Sequence, residues 1–203
     1  MPNLRRKRSP AVAALALAIC SGGARPAGAE GTADPVRVTQ AAMRLFERGC
    51  VRNLRQEAGL REVVQAAGLA AGLAAVPPDQ AAPHLGGRPG TLFVSGDGAL
   101  PLAVILRPAA AQCEVRAPTT DPAVAERDFR ALIEGFQAPT VMVRRDSEER
   151  SSAGGRPGIT MVYSAGAPPL EEGGVRFAMQ ARQPVPGGIA LSMTASGKPL
   201  DAR

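Results

Sequence analysis

Apolar residues recur at two periods along this chain, roughly every three to four positions in three separate stretches and every second position in the last third. The first stretch opens at Asp34-Pro35, a carboxylate that can cap free backbone N–H groups beside a proline that lacks one. Val38, Ala42, Leu45 and Gly49 then follow at helical spacing. Met43, Phe46 and Cys50 lie on the adjoining stripe, and Arg44, Glu47 and Arg48 lie outside it. A further helix is expected over Glu57 to Ala67 from Leu60, Val63, Val64 and Ala67, with Gly68 as its stop. The Gly/Ala-rich run from Leu69 to Val76 has no firm period and reads as helix or loop until Pro77-Pro78 ends it. Asp121-Pro122 repeats the capping signal, and Ala125, Phe129, Leu132, Ile133 and Phe136 mark an amphipathic helix behind it.

The period-two segments predict strands. Thr91 to Ser95 is a short apolar run halted by Gly96-Asp97-Gly98, a tight-turn signature, with return strands over Leu102 to Arg107 and Cys113 to Arg116. Four more are expected at about Thr140 to Arg145, Ile159 to Ser164, Val175 to Arg182 and Ile189 to Ala195. In the third of these, Val175, Phe177, Met179 and Ala181 alternate with Arg176, Ala178, Gln180 and Arg182, the pattern of a sheet with one wetter face. Asp146 to Pro157 reads as a charged Ser/Gly-rich loop. Short connections favour antiparallel pairing. The expected class is α+β, an antiparallel sheet with N-terminal helices and one central amphipathic helix. No internal repeat stands out, although hairpins after each capped helix leave room for a duplicated unit.

The first 29 residues break this pattern and read as a secretory signal peptide. Arg5, Arg6, Lys7 and Arg8 form a basic region, Ala11 to Cys20 an apolar one, and Ala27-Gly28-Ala29 an A-x-A cleavage site. A spanning helix needs about 20 apolar residues, and Ser21-Gly22-Gly23 interrupts the run. A lipoprotein cysteine at Cys20 would want a small residue before it, where Ile19 is bulky. A twin-arginine signal would want apolar residues after Arg5-Arg6, where Lys7 and Arg8 stand, so ordinary Sec export is favoured. The expected organisation is a signal peptide over 1–29 and one globular domain with short flexible ends over 30–203, located in the periplasm or secreted.

Export changes the charge. Loss of Arg5, Arg6, Lys7, Arg8 and Arg25 with no acidic residue lowers the formal charge from +6 to +1. Near balance, one Tyr and no Trp argue against a nucleic-acid partner. Cys50 and Cys113 then remain in an oxidising compartment without a C-x-x-C motif, which points to a structural disulfide. Closing that loop would contribute about 4 kcal/mol on the chain-entropy model.

Candidate chemistry is thin. Ser95-Gly96-Asp97-Gly98 matches neither a nucleophile elbow nor a phosphate loop and reads as a hairpin turn. His84, the lone histidine, lies in Ala82 to Gly87, an expected loop, and reads as solvated. Glu148-Glu149 and Glu171-Glu172 invite a metal or glycosidase reading, but adjacent carboxylates in polar loops do not set a cleft geometry. Tyr163 leaves a small-ligand pocket open. No catalytic, metal or cofactor residues are assigned, and zinc, haem and nicotinamide are not expected.

The two cysteines, the Gly-Asp-Gly hairpin and Phe129-Arg-Ala-Leu-Ile133 behind Asp121-Pro122 resemble small exported bacterial α+β proteins with a two-cysteine pattern. The likeness covers most of residues 35 to 195 in outline and implies no activity. The expected function is non-enzymatic, a binding or interaction module of the bacterial envelope with an envelope protein or a small ligand as partner. The alternative is a hydrolase-like envelope enzyme that uses scattered Ser and acidic groups.

Overall fold

Both Asp-Pro pairs start helices by the expected mechanism. In the computed structural model, which describes residues 33–54, 72–96, 98–152, 156–168, 170 and 174–197, Asp34 Oδ1 accepts the Val36 N–H at 3.0 Å. Asp121 Oδ1 accepts the Ala123 and Val124 N–H groups at 2.9 and 3.0 Å. The chain divides into two compact units. Met1–Glu30 lies outside the described residues, as do the expected signal peptide and Cys20, and Gly31–Arg203 holds everything that follows.

Helix α1 (Pro35–Leu45) runs into a π-helical turn, Phe46–Val51, whose wider winding turns Phe46, Gly49 and Cys50 all inward. The expected helix at Glu57 to Ala67 lies outside the described residues. Strand β1 (Leu73–Ala75) follows, then α2 (Pro78–Leu85), β2 (Thr91–Ser95), β3 (Ala103–Arg107) and β4 (Gln112–Ala117). Helix α3 (Pro122–Glu134) leads to β5 (Met142–Ser151), β6 (Gly158–Gly166), β7 (Val175–Arg182) and β8 (Leu191–Gly197). The eight strands form one sheet in the order β1-β2-β3-β4-β8-β7-β6-β5, every neighbouring pair antiparallel. Sheet and helices together make an α+β fold.

That order contains a repetition. An Asp-Pro-capped helix precedes a four-stranded antiparallel meander twice over, and the last strands of the two meanders, β4 and β8, pair antiparallel at the centre. The two halves are thus related by an approximate two-fold through the β4–β8 seam. The repetition is one of strand order, and helix α2, between β1 and β2, has no counterpart between β5 and β6 among the described residues.

Helices α1 and α3 pack on one face of the sheet and against each other. Phe129 of α3 is fully buried between Phe46 and Tyr163, with ring centroids 6.0 and 6.2 Å away. Met161, Met179 and Met193 of three adjacent strands lie in the same core. The helix starts are tied by a buried polar contact. Thr39 Oγ1 donates to Pro35 O at 2.7 Å and accepts the Asp121 N–H at 2.9 Å, so in its 2.9 Å contact with Thr120 Oγ1 the Thr120 hydroxyl donates.

Four expectations are corrected. Leu73–Ala75 is a strand where helix or loop was expected; it pairs with β2 through Leu73 opposite Ser95. His84 sits in the last turn of α2 and not in a loop. Pro78 takes the start of that helix, where no N–H is needed, and Gly86, at φ +60°, ends it in the left-handed conformation. Strand β5 continues to Ser151, through what reads as a charged loop, because Arg and Glu side chains along it find partners on the helical side. The β2–β3 hairpin forms, but its connection reaches to Pro101 and is closed by Ser95 N–H to Leu102 C=O at 2.9 Å; Asp97 lies outside the described residues.

Candidate functional site

On the sheet face opposite α1 and α3, short α2 covers one cross-strand row and leaves the next one partly open. The covered row is Leu92, Ile105 and Glu114, and there Leu92 and Ile105 pack with Ala81 and Leu85 of α2. The adjoining row is Val94, Ala103 and Arg116. Alanine in the middle of that row leaves a gap that a larger side chain would fill. The result is a cleft of about 310 Å³, walled by Leu92, Val94, Ala103, Pro101, Pro118 and Ile189, with His84, Ser95 and Arg116 as its polar members. Val94 and Ile189 are 37 and 38 % exposed, so both present aliphatic surface to solvent at the cleft.

Arg116 is clamped from behind. Its Nε and Nη2 donate to the two oxygens of Glu114 at 2.6 and 3.0 Å, a bidentate pair, and its Nη1 donates to the His84 carbonyl at 3.4 Å. Glu114 also accepts from Ser192 Oγ at 2.9 Å and lies 3.7 Å from Nη1 of Arg107. Arg107 is buried beneath this cluster, its Nη2 3.5 Å from Leu85 O and its Nε and Nη1 without a hydrogen-bond partner. Burial alone would raise the Glu114 pKa. The hydrogen bonds from Arg116 and Ser192 and the guanidinium charges of Arg116 and Arg107 outweigh it and hold the carboxyl below its usual range.

The structure therefore brings His84 and Ser95 to one cleft, from a helix and the strand that follows it. It gives the nearby Glu114 carboxylate to two arginines and a serine rather than to His84. A histidine that serves as general base is normally oriented by a third group, and the bonded carboxylate of this corner is engaged elsewhere.

Of the two acidic pairs, Glu171-Glu172 lies outside the described residues. Glu148 corrects the reading of solvated loop charge: it is on β5 and accepts from Arg130 Nη2 at 3.1 Å and Arg145 Nη1 at 3.0 Å. Arg130 also bonds Glu126 at 3.1 Å and the buried Tyr163 hydroxyl at 3.3 Å, and Arg150 closes the network by binding both Glu126 oxygens. These bonds, that from Arg130 foremost for Glu148 and that from Arg150 foremost for Glu126, hold both carboxyls below their ordinary range. The network ties α3 to the β5 edge and spends its carboxylates on arginines. Tyr163 is core, not a pocket wall. Among the described residues no group of three or more His, Cys, Asp and Glu is placed to hold a metal ion.

Cys50, on the π-helical turn, is joined to Cys113 of β4 with Cα atoms 5.2 Å apart. That span lies within ordinary disulfide reach and pins the N-terminal helix to the sheet. Arg116, Val94 and Ile189 are the cleft residues that motif reading missed, with Glu114 behind Arg116. Two signals pointed at them: β4 alternates Cys113, Val115 and Ala117 with Glu114 and Arg116, and β3 is apolar on both of its faces, which requires cover on both sides of the sheet. Comparison with protein-family models, curated proteins and solved structures gives no match, so the function rests on the chemistry of the cleft itself.

Proposed function

We propose that this chain is a non-enzymatic periplasmic or secreted binding module of the bacterial envelope, and that the cleft beside α2 is where it binds. The observation that carries the reading is the pairing of two solvent-open aliphatic side chains, Val94 and Ile189, with one clamped guanidinium in a concave site. Export is supported by the basic, apolar and A-x-A pattern of residues 1–29 and fits the disulfide. Among the described residues no helix is long and apolar enough to cross a membrane. The mature chain would begin at Glu30 as one domain, with the helix behind Asp121-Pro122 at its centre.

The hydrolase alternative is kept alive by one fact, that His84 and Ser95 line the same cleft. One experiment separates the two. Envelope extract is passed over immobilised protein, wild type and Val94→Asp, and each is assayed on a panel of ester and amide substrates. The binding reading expects a ligand or partner retained by wild type and lost by Val94→Asp, with no hydrolysis. Hydrolysis abolished by Ser95→Ala or His84→Ala would establish the enzyme instead.

A further inference from the structure

We infer that the cleft is selective for a small amphipathic carboxylate, its anionic head on Arg116 and its short apolar body against Val94, Ala103 and Ile189. This rests on the binding reading above and names the ligand class. Size comes first. A volume of about 310 Å³ lies at the lower end of small-molecule sites, too small for a large cofactor. The walls decide the body of the ligand, being aliphatic and proline surfaces that offer little hydrogen bonding. An apolar segment gains by leaving water there.

The charge balance of the corner decides the head group. The charges of Arg88 and Arg116 both act on Arg107, and the Glu114 carboxylate is the acid bonded to Arg116 and 3.7 Å from Arg107. One acid among three guanidinium groups leaves the corner positive. Arg107 is sealed from solvent, whereas the Arg116 side chain is 21 % exposed and borders the cleft. Two Arg116 nitrogens are committed to Glu114 at short distance. Its Nη1 makes only the 3.4 Å bond to the His84 carbonyl, near the outer limit of a hydrogen bond. A ligand carboxylate replaces that contact with a shorter, charge-assisted one, while the Glu114 clamp keeps the guanidinium plane fixed and lowers the ordering penalty of binding. A neutral ligand of the same shape can accept a hydrogen bond there but lacks the attraction between opposite charges.

The test compares octanoate with 1-octanol, which share a chain and differ in the head group, by titration calorimetry on protein purified from the envelope of an expressing bacterium. Octanoate is expected to bind at least about tenfold more tightly than octanol, in line with a hydrogen bond to a charged group. Arg116→Gln is expected to bring the two within about twofold by removing that bond. Because Arg116→Gln also frees Glu114, a second variant is needed that leaves the buried cluster intact. Val94→Asp, at an open position two strands from Arg116, is expected to weaken both probes about tenfold or more, since it sets a charge against the apolar body, and to leave octanoate the tighter of the two. Octanol binding as tightly as octanoate, or octanoate unmoved by both substitutions, overturns the carboxylate inference while leaving a binding cleft standing. No binding of either probe at millimolar concentration overturns the cleft as a small-molecule site and the carboxylate inference with it.

Discussion

Replacing Glu114 with leucine removes the carboxylate shared by two guanidinium groups, and its effect is bounded by what it strands. Arg107 is 3 % exposed, two of its nitrogens have no hydrogen-bond partner, and Glu114 at 3.7 Å is the counter-charge of the pair. Burial, then the charge of Arg88, already pulls the Arg107 pKa down, with Glu114 opposing. An arginine nevertheless keeps its proton in a protein, so the penalty falls on folding and not on ionisation. Removing one partner of a buried pair destabilises by about 3–5 kcal/mol, a large part of the roughly 5–15 kcal/mol that holds a domain together. The exposed pair of Arg52 with Glu47, whose side chains are 69 and 37 % exposed, is the internal comparison; Glu47→Gln is expected to change stability by less than about 1 kcal/mol. Guanidinium chloride unfolding at pH 7 measures both, provided the denaturant slopes match. The double variant Arg107→Met/Glu114→Leu should recover most of the loss, since it removes both charges together. A Glu114→Leu protein within about 1 kcal/mol of wild type, or a double variant no better than the single one, would refute the view that a desolvated charge governs this corner.

Three further outcomes are expected. Cys50→Ser/Cys113→Ser should lose about 4 kcal/mol in oxidising conditions and nothing in reductant, as read from paired unfolding curves; equal stability in both would remove the staple role. Phe129→Ala should destabilise by about 3–5 kcal/mol, because the ring is fully buried between Phe46 and Tyr163; a thermal shift that translates to under about 1 kcal/mol would contradict that packing. Glu114, Glu126, Asp146 and Glu148 are all more acidic in the fold than as free side chains. The stability they contribute is therefore present above an unfolded value of about 4 and is lost as pH falls through their depressed folded values, so circular dichroism should show marked destabilisation by about pH 2–3, and a flat profile from pH 6 to 2 would count against the ion networks.

The helix starts were legible because capping is local: Asp34 and Asp121 act within their own first turns, and a proline beside each excludes most rivals. The alternation in β7 placed Phe177, Met179 and Ala181 in the core with no error of register, since a period of two allows only one inward set. The failures share a cause. The second half of β5 looked like a loop because DSEER carries no apolar alternation; its order comes from Arg130 and Glu126 on α3, partners that no local pattern reveals. Helix α2 looked like a loop because Pro83 and Gly86 dominate so short a segment, while its support is Leu92 and Ile105 across the sheet. The cleft was invisible for the same reason. Val94, Ala103 and Arg116 become neighbours only through strand register, and an alanine signals space only when its cross-strand partners are known.

The β4–β8 seam has a kinetic consequence. Each meander is made of contacts between near neighbours in sequence, whereas the seam joins Gln112–Ala117 to Leu191–Gly197 across the whole second half. Local pairing is fast and long-range closure slow, so the two meanders form ahead of their union. The Cys50–Cys113 link belongs to the first half alone and can staple its helix to β4 before β8 arrives. Until then β4 presents an unpaired edge, with Cys113, Val115 and Ala117 on the face that the completed core will cover. An edge of that kind recruits any strand within reach. The yield of correctly assembled protein should fall as its concentration rises during refolding, and the second meander, as the natural competitor for that edge, acts as a guard for the first.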